Sequence, residues 1–233
     1  LQICYISNMI VALIPAKGNS TRLKNKNNLY IGKNTLLEKA ILDCKDSRLI
    51  DECFVSSENK KIRHTAKKNG IKTVNRPIKL SQKKTPMNDV IKHFINHLKK
   101  NKIIIKTIVL IQPTSPFRPK KIIDKLLKNY EKSNVKSLIT VKKSNNSFFK
   151  SIVKINSKFI VKYPNFFFSN TQELPKIYIP NGMIYIFDVK EFLKKNKISL
   201  ENTKFLDVNF KNDIDIDTKE DYLKAQKIYE KQF

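Results

Sequence analysis

Successive side chains of an extended segment alternate between its two faces, so Asp213, Asp215 and Asp217 in NDIDIDTKED can present three carboxylates on one side. Three like charges repel unless a cation lies among them. An all-oxygen set suits Mg²⁺, which takes one or two carboxylates and completes its shell with water and substrate phosphate. The chain holds only 20 Asp and Glu against 47 Lys and Arg, so this concentration of acids is informative. The same residues also read as a helix start, with Asp217 as N-cap and Glu220 three positions on. The two roles are compatible, with Asp215 on a metal while Thr218 or Asp217 also caps.

A second group follows the first apolar run. Val11 to Pro15 reads as a strand buried on both faces, and it leads into AKGNSTRLKNKN. There Gly18 lets the backbone turn, Ser20 and Thr21 supply hydroxyls, and Lys17, Arg22, Lys24 and Lys26 supply charge at the carboxyl end of the strand. Open α/β sheets bind their ligands at that end. An anion site and a solvated basic loop both fit this stretch taken alone. A second apolar strand, Thr107 to Ile111, stops at QPTSPFR, where Gln112 offers a donor and an acceptor to a base edge or a sugar hydroxyl. A proline-rich turn leaving a strand would look the same. The Asn181–Gly182 pair in PNGMIYI is expected to form a tight polar turn next to a pocket.

The elements that must position these groups alternate along the chain. Helical spacing over Thr35–Cys44 is followed by a strand at Glu52–Ser56, a helix near Asn59–Asn69 closed by Gly70, and a strand at Ile71–Val74. A helix at Asn88–Lys100, the strand at 107–111, a helix at Lys120–Tyr130 and a strand at Ser137–Val141 continue the rhythm. Met183–Phe187 is again strand-like, and helices follow at 190–196 and after Asp217. This alternation predicts an α/β fold with a mostly parallel sheet and right-handed crossovers. From Ser144 to Ile179 the rhythm breaks into short pieces, and the aromatic run Phe166–Phe168 is expected either in a local core or at a dimer contact.

Length and composition bound the rest. At 233 residues the chain suits a single domain over 9–233, with 144–179 an insertion that serves dimerisation and 1–8 an upstream extension. The apolar runs are too short for a membrane span and the start lacks a signal pattern, so a soluble, cytoplasmic protein with no membrane partner is expected. Cys4, Cys44 and Cys53 are odd in number and lack metal-ligand spacing, which predicts reduced thiols. The net charge of +27 would hold a polyanion at low salt by counterion release. The lysines are nevertheless spread along the chain without interleaved aromatics, which argues against a specific nucleic-acid partner.

Taken in order, the segments resemble the acylneuraminate cytidylyltransferase family, the CMP-sialic acid synthetases. IPAKGNSTRLKNKN is similar to that family's IPARxxSxxxxxKN, VSSE at 55–58 to VSTD, and RPIKLSQKKTPMNDVIKH at 76–93 to RPxxLAxDxTPMxDVIxH. LIQPTSPFR is similar to LLQPTSPLR, QELPKIYIPNGMIYI from Gln172 to QxLPxxYxxNGxIYI, and DIDTKED from Asp215 to DIDTxxD. The motifs run from Ile14 to Asp221.

The resemblance implies a Rossmann-like nucleotide-diphospho-sugar transferase fold with a small insertion, acting as a homodimer. It implies Mg²⁺-dependent transfer of CMP from CTP to the anomeric hydroxyl of a sialic-acid-like nonulosonic acid, releasing pyrophosphate. It assigns the nucleotide to Ala16, Lys17, Gly18, Asn19, Ser20, Lys26, Asn27, Arg76 and Thr85, with Gly18 allowing close backbone approach. It assigns the sugar to Gln112, Lys150, Gln172, Asn181, Gly182 and Tyr185, with Asn181 and Tyr185 walling the pocket. Asp215 and Asp217 would hold Mg²⁺ and, with Lys17 and Lys26, make up the catalytic set. Another keto sugar acid such as KDO, or a non-catalytic member binding nucleotide or polyanion, is the alternative. The chain departs from the pattern in having Lys17 for an arginine, Lys83 or Lys84 for an acid, and Thr171 and Ile179 for arginines. It also has NSFFK, with Lys150, for a histidine-rich stretch. Lysine keeps the charge but loses the bidentate fork.

Overall fold

The structure is a computed structural model that describes residues 9–208 and 212–231. The proposed extension at 1–8 and Cys4 therefore lie outside the described residues. The strands are β1 Ile10–Pro15, β2 Tyr30–Ile31, β3 Asn34–Thr35, β4 Glu52–Ser57, β5 Lys72–Asn75, β6 Thr107–Ile111, β7 Ser137–Lys143, β8 Ile152–Ile155, β9 Lys158–Val161, β10 Tyr178–Asp188 and β11 Thr203–Asp207. The helices are α1 Leu36–Asp46, α2 Lys60–Lys68, α3 Met87–Lys100, α4 Ile122–Lys132, α5 Val189–Lys195 and α6 Lys219–Glu230.

Among the described residues, seven strands form one sheet in the order β11-β7-β10-β6-β1-β4-β5. The period of two in β1 sends Ala12 and Ile14 to one face and Val11 and Leu13 to the other. The first pair packs with Leu37 and Ile41 of α1, Ile62 and Ala66 of α2 and Ile123 and Leu127 of α4. The second packs with Ile91, Phe94 and Leu98 of α3 and Phe192 of α5. Helices thus cover both faces, and the central strands are apolar throughout, as the sequence reading requires. Thr35 caps α1 in a reciprocal box with Glu38, and Asn59 caps α2, whose end is followed by Gly70 at φ 70°.

The chain steps from β1 outward to β4 and β5, then returns to place β6 on the other side of β1. The strand order reverses between β1 and β6, so loops leaving their carboxyl ends diverge and open a crevice. The sheet is mostly parallel, and β10 is the exception, antiparallel to both β6 and β7. β10 starts at Tyr178, earlier than the apolar pattern suggests, because the register shifts between Pro180 and Tyr185 and Gly182 takes φ 73° there. The partly exposed edge strand β11 has no clear apolar alternation and pairs parallel to β7. At the C-terminal helix the cap is Thr218 with Asp221 in a reciprocal box, in place of the Asp217–Glu220 pairing.

The stretch from 144 to 179 does break the alternation. It carries the β8–β9 hairpin, and Phe149 packs there on Tyr163 and Phe166. The aromatic run divides: Phe166 and Phe167 are half-buried, whereas Phe168 is 93% exposed. Cys44 and Cys53 are free, buried thiols.

Candidate active site

The crevice at the strand-order reversal is a cleft of about 160 Å³ lined from three directions. Lys17, Lys26 and Asn27 come from the loop after β1. Arg76, Leu80, Ser81, Gln82, Lys83 and Thr85 come from the strap between β5 and α3. Gln112, Pro113 and Thr114 come from the turn after β6. Six expected site residues, Lys17, Lys26, Asn27, Arg76, Thr85 and Gln112, are therefore brought together from positions far apart in the chain.

Within the basic loop, the side chains divide their work. Asn27 is buried, and its Nδ2 donates to the Lys17 carbonyl at 2.8 Å, closing the loop on itself. Ala16 is fully buried in the core under the sheet and donates its N–H to the Ser56 carbonyl at 3.0 Å, so its side chain packs and does not face the cleft. Gly18 is needed for a reason other than ligand approach: a Cβ there would lie 2.4 to 2.8 Å from the side chain of Asn59. Its N–H donates to Glu58 Oε1 at 2.7 Å. Asn19 is exposed and Ser20 half-buried, and neither lines the cleft.

Glu58, the last residue of VSSE, was not singled out as a site residue, although that motif was its signal. Its Oε2 accepts from Ser81 Oγ at 2.7 Å and from Arg76 Nη2 at 3.2 Å. Burial alone would raise its carboxyl. Hydrogen bonds from Ser81, from its own and the Gly18 backbone and from Arg76 outweigh that and hold it below its ordinary range. Burial in turn pulls the Arg76 guanidinium down, offset in part by Glu58.

The three alternating carboxylates do not share one face. Asp213–Thr218 is irregular backbone. Ile216, fully buried beside Ile31, Leu36 and Ala225, anchors it, and the Ile216 N–H donates to the Thr114 carbonyl at 2.8 Å. Asp217 turns toward the basic loop, pairing with Lys26 at 2.8 Å and Arg22 at 2.9 Å. Asp213 and Asp215 turn toward β10. Asp213 Oδ2 accepts from Asn181 Nδ2 at 3.1 Å, and a Cβ on Gly182 would lie 3.2 Å from Asp215 Oδ2. The Oδ1 atoms of both Asp213 and Asp215 are buried without a hydrogen-bond partner. Burial pushes the Asp213 carboxyl up, eased by Asn181 and Lys142 and reinforced by the Asp215 charge. Burial and then the Asp215 charge push the half-buried Tyr185 phenol up. Among the described residues no group of three His, Cys, Asp or Glu side chains closes on a single metal position.

Asn181 is a brace inside the wall. It is buried, and its Oδ1 accepts from Thr140 Oγ1 at 2.7 Å while its Nδ2 holds Asp213. Arg118, the cation of QPTSPFR, also works inward. Its side chain is fully buried, with Nη1 donating to Asp43 at 2.9 Å and Nη2 to the Gln112 carbonyl, which pins the turn carrying Gln112. Lys150 and Gln172 belong to the 144–179 stretch, are half-buried and exposed respectively, and do not line the cleft. Lys83 does line it.

A family model described as cytidylyltransferase matches residues 11–233. N-acylneuraminate cytidylyltransferase of Streptococcus agalactiae serotype V is 24% identical over 224 residues, covering 91% of this chain and 51% of the relative. The chain thus spans about half the length of that relative. CMP-N,N'-diacetyllegionaminic acid synthase of Legionella pneumophila is 29% identical over 233 residues, covering 95% of this chain and 96% of the relative. Among solved structures, a CMP:2-keto-3-deoxy-manno-octonic acid synthetase complexed with CTP superposes with a TM-score of 0.71 at 14% identity, covering 97% of this chain and all of that one. That likeness concerns the Rossmann-like fold. The family model covers nearly the whole chain, and its match runs through the basic loop, the strap and the carboxylates around the crevice: this chain belongs to the cytidylyltransferase family.

Proposed function

We propose that the chain transfers CMP from CTP to the anomeric hydroxyl of a sialic-acid-like nonulosonic acid, in a Mg²⁺-dependent reaction that releases pyrophosphate. The observation that carries this reading is the convergence of Lys17, Lys26, Arg76 and Lys83 on one cleft at the strand-order reversal. Attack on the α-phosphorus builds negative charge on the phosphates, and cations fixed beforehand lower that barrier without reorganising. Lys17 and Lys26 would bear on the triphosphate. Gln112, its turn pinned by Arg118, would orient the acceptor. The names of the relatives, which act on N-acylneuraminate and N,N'-diacetyllegionaminic acid, support a nonulosonic acid over a shorter keto acid such as KDO.

The donor set fits a hard cation. The buried Oδ1 atoms of Asp213 and Asp215 have no hydrogen-bond partner, and oxygen donors are what Mg²⁺ takes. Asp215 and Asp217 would hold the ion, with Asp213 behind them, and Asp217 would exchange its contacts with Lys26 and Arg22 to do so. Bound there, Mg²⁺ supplies neutralisation of phosphate charge. One of these two carboxylates, Asp215 or Asp217, would also assist deprotonation of the sugar hydroxyl.

The exposed Phe148, Ile155, Phe159 and Phe168 of the 144–179 stretch support a second copy of the chain as partner, which could bring Lys150 and Gln172 to a neighbouring cleft. No helix among the described residues is long and apolar enough to cross a membrane, and the water-soluble reactants are consistent with a cytoplasmic enzyme. The test is pyrophosphate release from CTP and Mg²⁺ with a panel of nonulosonic acids and KDO, run beside Asp215→Ala. Release with one acceptor, lost in the variant, supports the reading; CTP binding without release for any acceptor overturns it.

A further inference from the structure

The cleft has two walls without regular helix or sheet along most of their length, the loop after β1 and the strap from Pro77 to Pro86, and the Glu58 carboxylate joins them. Glu58 follows the last residue of β4, and its side chain is only 12% exposed. One oxygen accepts the Gly18 amide at 2.7 Å, from the basic loop. The other accepts Ser81 Oγ at 2.7 Å, from the strap, and Arg76 Nη2 at 3.2 Å, from the strap's root. Next to it, Asn59 caps α2 through the amides of Lys61 and Ile62, and its side chain fills the space a Cβ on Gly18 would need. The loop is thus seated on the Glu58–Asn59 corner, which the first turn of α2 holds rigid.

We propose that Glu58 is the positioning residue of the nucleotide site, holding the basic loop and the strap at a set separation and fixing Arg76 between them. This deepens the transferase reading above and rests on it. A carboxylate suits the task because a charged acceptor makes shorter, stronger bonds than a neutral one and can serve several donors at once. It also compensates Arg76, whose side chain is 3% exposed and would otherwise be a buried cation without a counterion. The arrangement has a chemical consequence. The Gly18 amide is committed to Glu58, so the loop recognises phosphate through the Lys17 and Lys26 ammonium groups and not through a cradle built on that amide. Phosphate affinity then depends on where the loop holds those two lysines, and Glu58 sets that position.

The test uses Glu58→Gln, Ser81→Ala and Ser81→Thr in the full chain, with hydrogen exchange of the free protein and calorimetric titration of CTP with Mg²⁺. Glu58→Gln keeps an acceptor for Gly18 but faces Arg76 with an amide; Ser81→Ala cuts only the strap. Exchange is expected to quicken over 16–20 and 78–86 together in Glu58→Gln, and over 78–86 alone in Ser81→Ala. CTP affinity is expected to fall about tenfold in both, as for loss of one organising hydrogen bond, with Ser81→Thr recovering it and the thermal midpoint of Ser81→Ala little changed. Unchanged exchange in both segments overturns the proposal, as does wild-type CTP affinity in both variants. A wild-type chain that binds no CTP overturns the transferase reading instead, and the exchange pattern still decides whether Glu58 joins the two walls.

Discussion

Replacing Asn181 with alanine separates two roles for this residue, pocket wall and internal brace. Asn181 is 2% exposed; its Oδ1 accepts from Thr140 Oγ1 at 2.7 Å and from the Met183 N–H at 3.2 Å, and its Nδ2 donates to Asp213 at 3.1 Å. Truncation leaves the Met183 amide and one Asp213 oxygen without their partner, while Thr140 keeps the Ile184 carbonyl at 3.1 Å. A buried group left unsatisfied costs about 1–3 kcal/mol, so two of them, one partly reached by water, cost about 3 kcal/mol. For a chain of this length that corresponds to a fall of roughly 6–12 °C in the thermal midpoint. The Asp213 carboxyl also loses a hydrogen bond that favours its charged form, so its pKa moves further up. Scanning calorimetry at neutral pH without nucleotide measures the first effect. A midpoint within about 2 °C of the wild type, combined with weakened acceptor binding, would refute the brace and restore the pocket wall.

Three further outcomes follow from the same contacts. Gly18→Ala should displace the basic loop, because its Cβ would meet Asn59 at 2.4 to 2.8 Å, and weaken CTP binding about tenfold or more; Asn59→Gly in the same chain should recover part of the loss, read by titration. Arg118→Ala leaves the partly exposed Asp43 with Lys39 as its remaining cation and frees the turn carrying Gln112, so urea unfolding should show a loss of about 1–3 kcal/mol, and an unchanged midpoint would remove Arg118 from that role. Glu58 has its folded pKa depressed, so the stability it contributes is fully present above its unfolded value of about 4.3 and is lost as pH falls through the lower folded value. The stability gap between wild type and Glu58→Gln should therefore persist at neutral pH and close in acid, and a gap that widens in acid would contradict the assignment.

Much of the architecture is legible locally. Val11–Ile14 and Thr107–Ile111 are apolar at every position or nearly so, which marks strands covered on both faces, and the helices between them show their buried stripe at 3.6-residue spacing. β11 was not legible, because a partly exposed edge strand has no continuous apolar run. The antiparallel direction of β10 was not legible either, since its side-chain pattern is the same whichever way it runs. Of the site, position at the carboxyl ends of central strands marked the loops after β1 and β6 as candidates without deciding between an anion site and a solvated turn, and the family resemblance singled out their residues.

The sequence by itself determined the central strands and the helices, the alternation that makes the sheet mostly parallel, and the loops that carry charge and amide groups to one end of it. These follow from short-range steric and burial rules. Only the tertiary structure decided the partners: that Asp217 meets Lys26 and Arg22 while Asp213 and Asp215 turn to β10, that Arg118 and Asn181 work inward, and that Glu58 joins loop to strap. Each of those contacts joins residues distant in the chain. Which carboxylate meets which cation depends on how the packed sheet brings their backbones together, and the spacing of neighbours along the sequence does not carry that information.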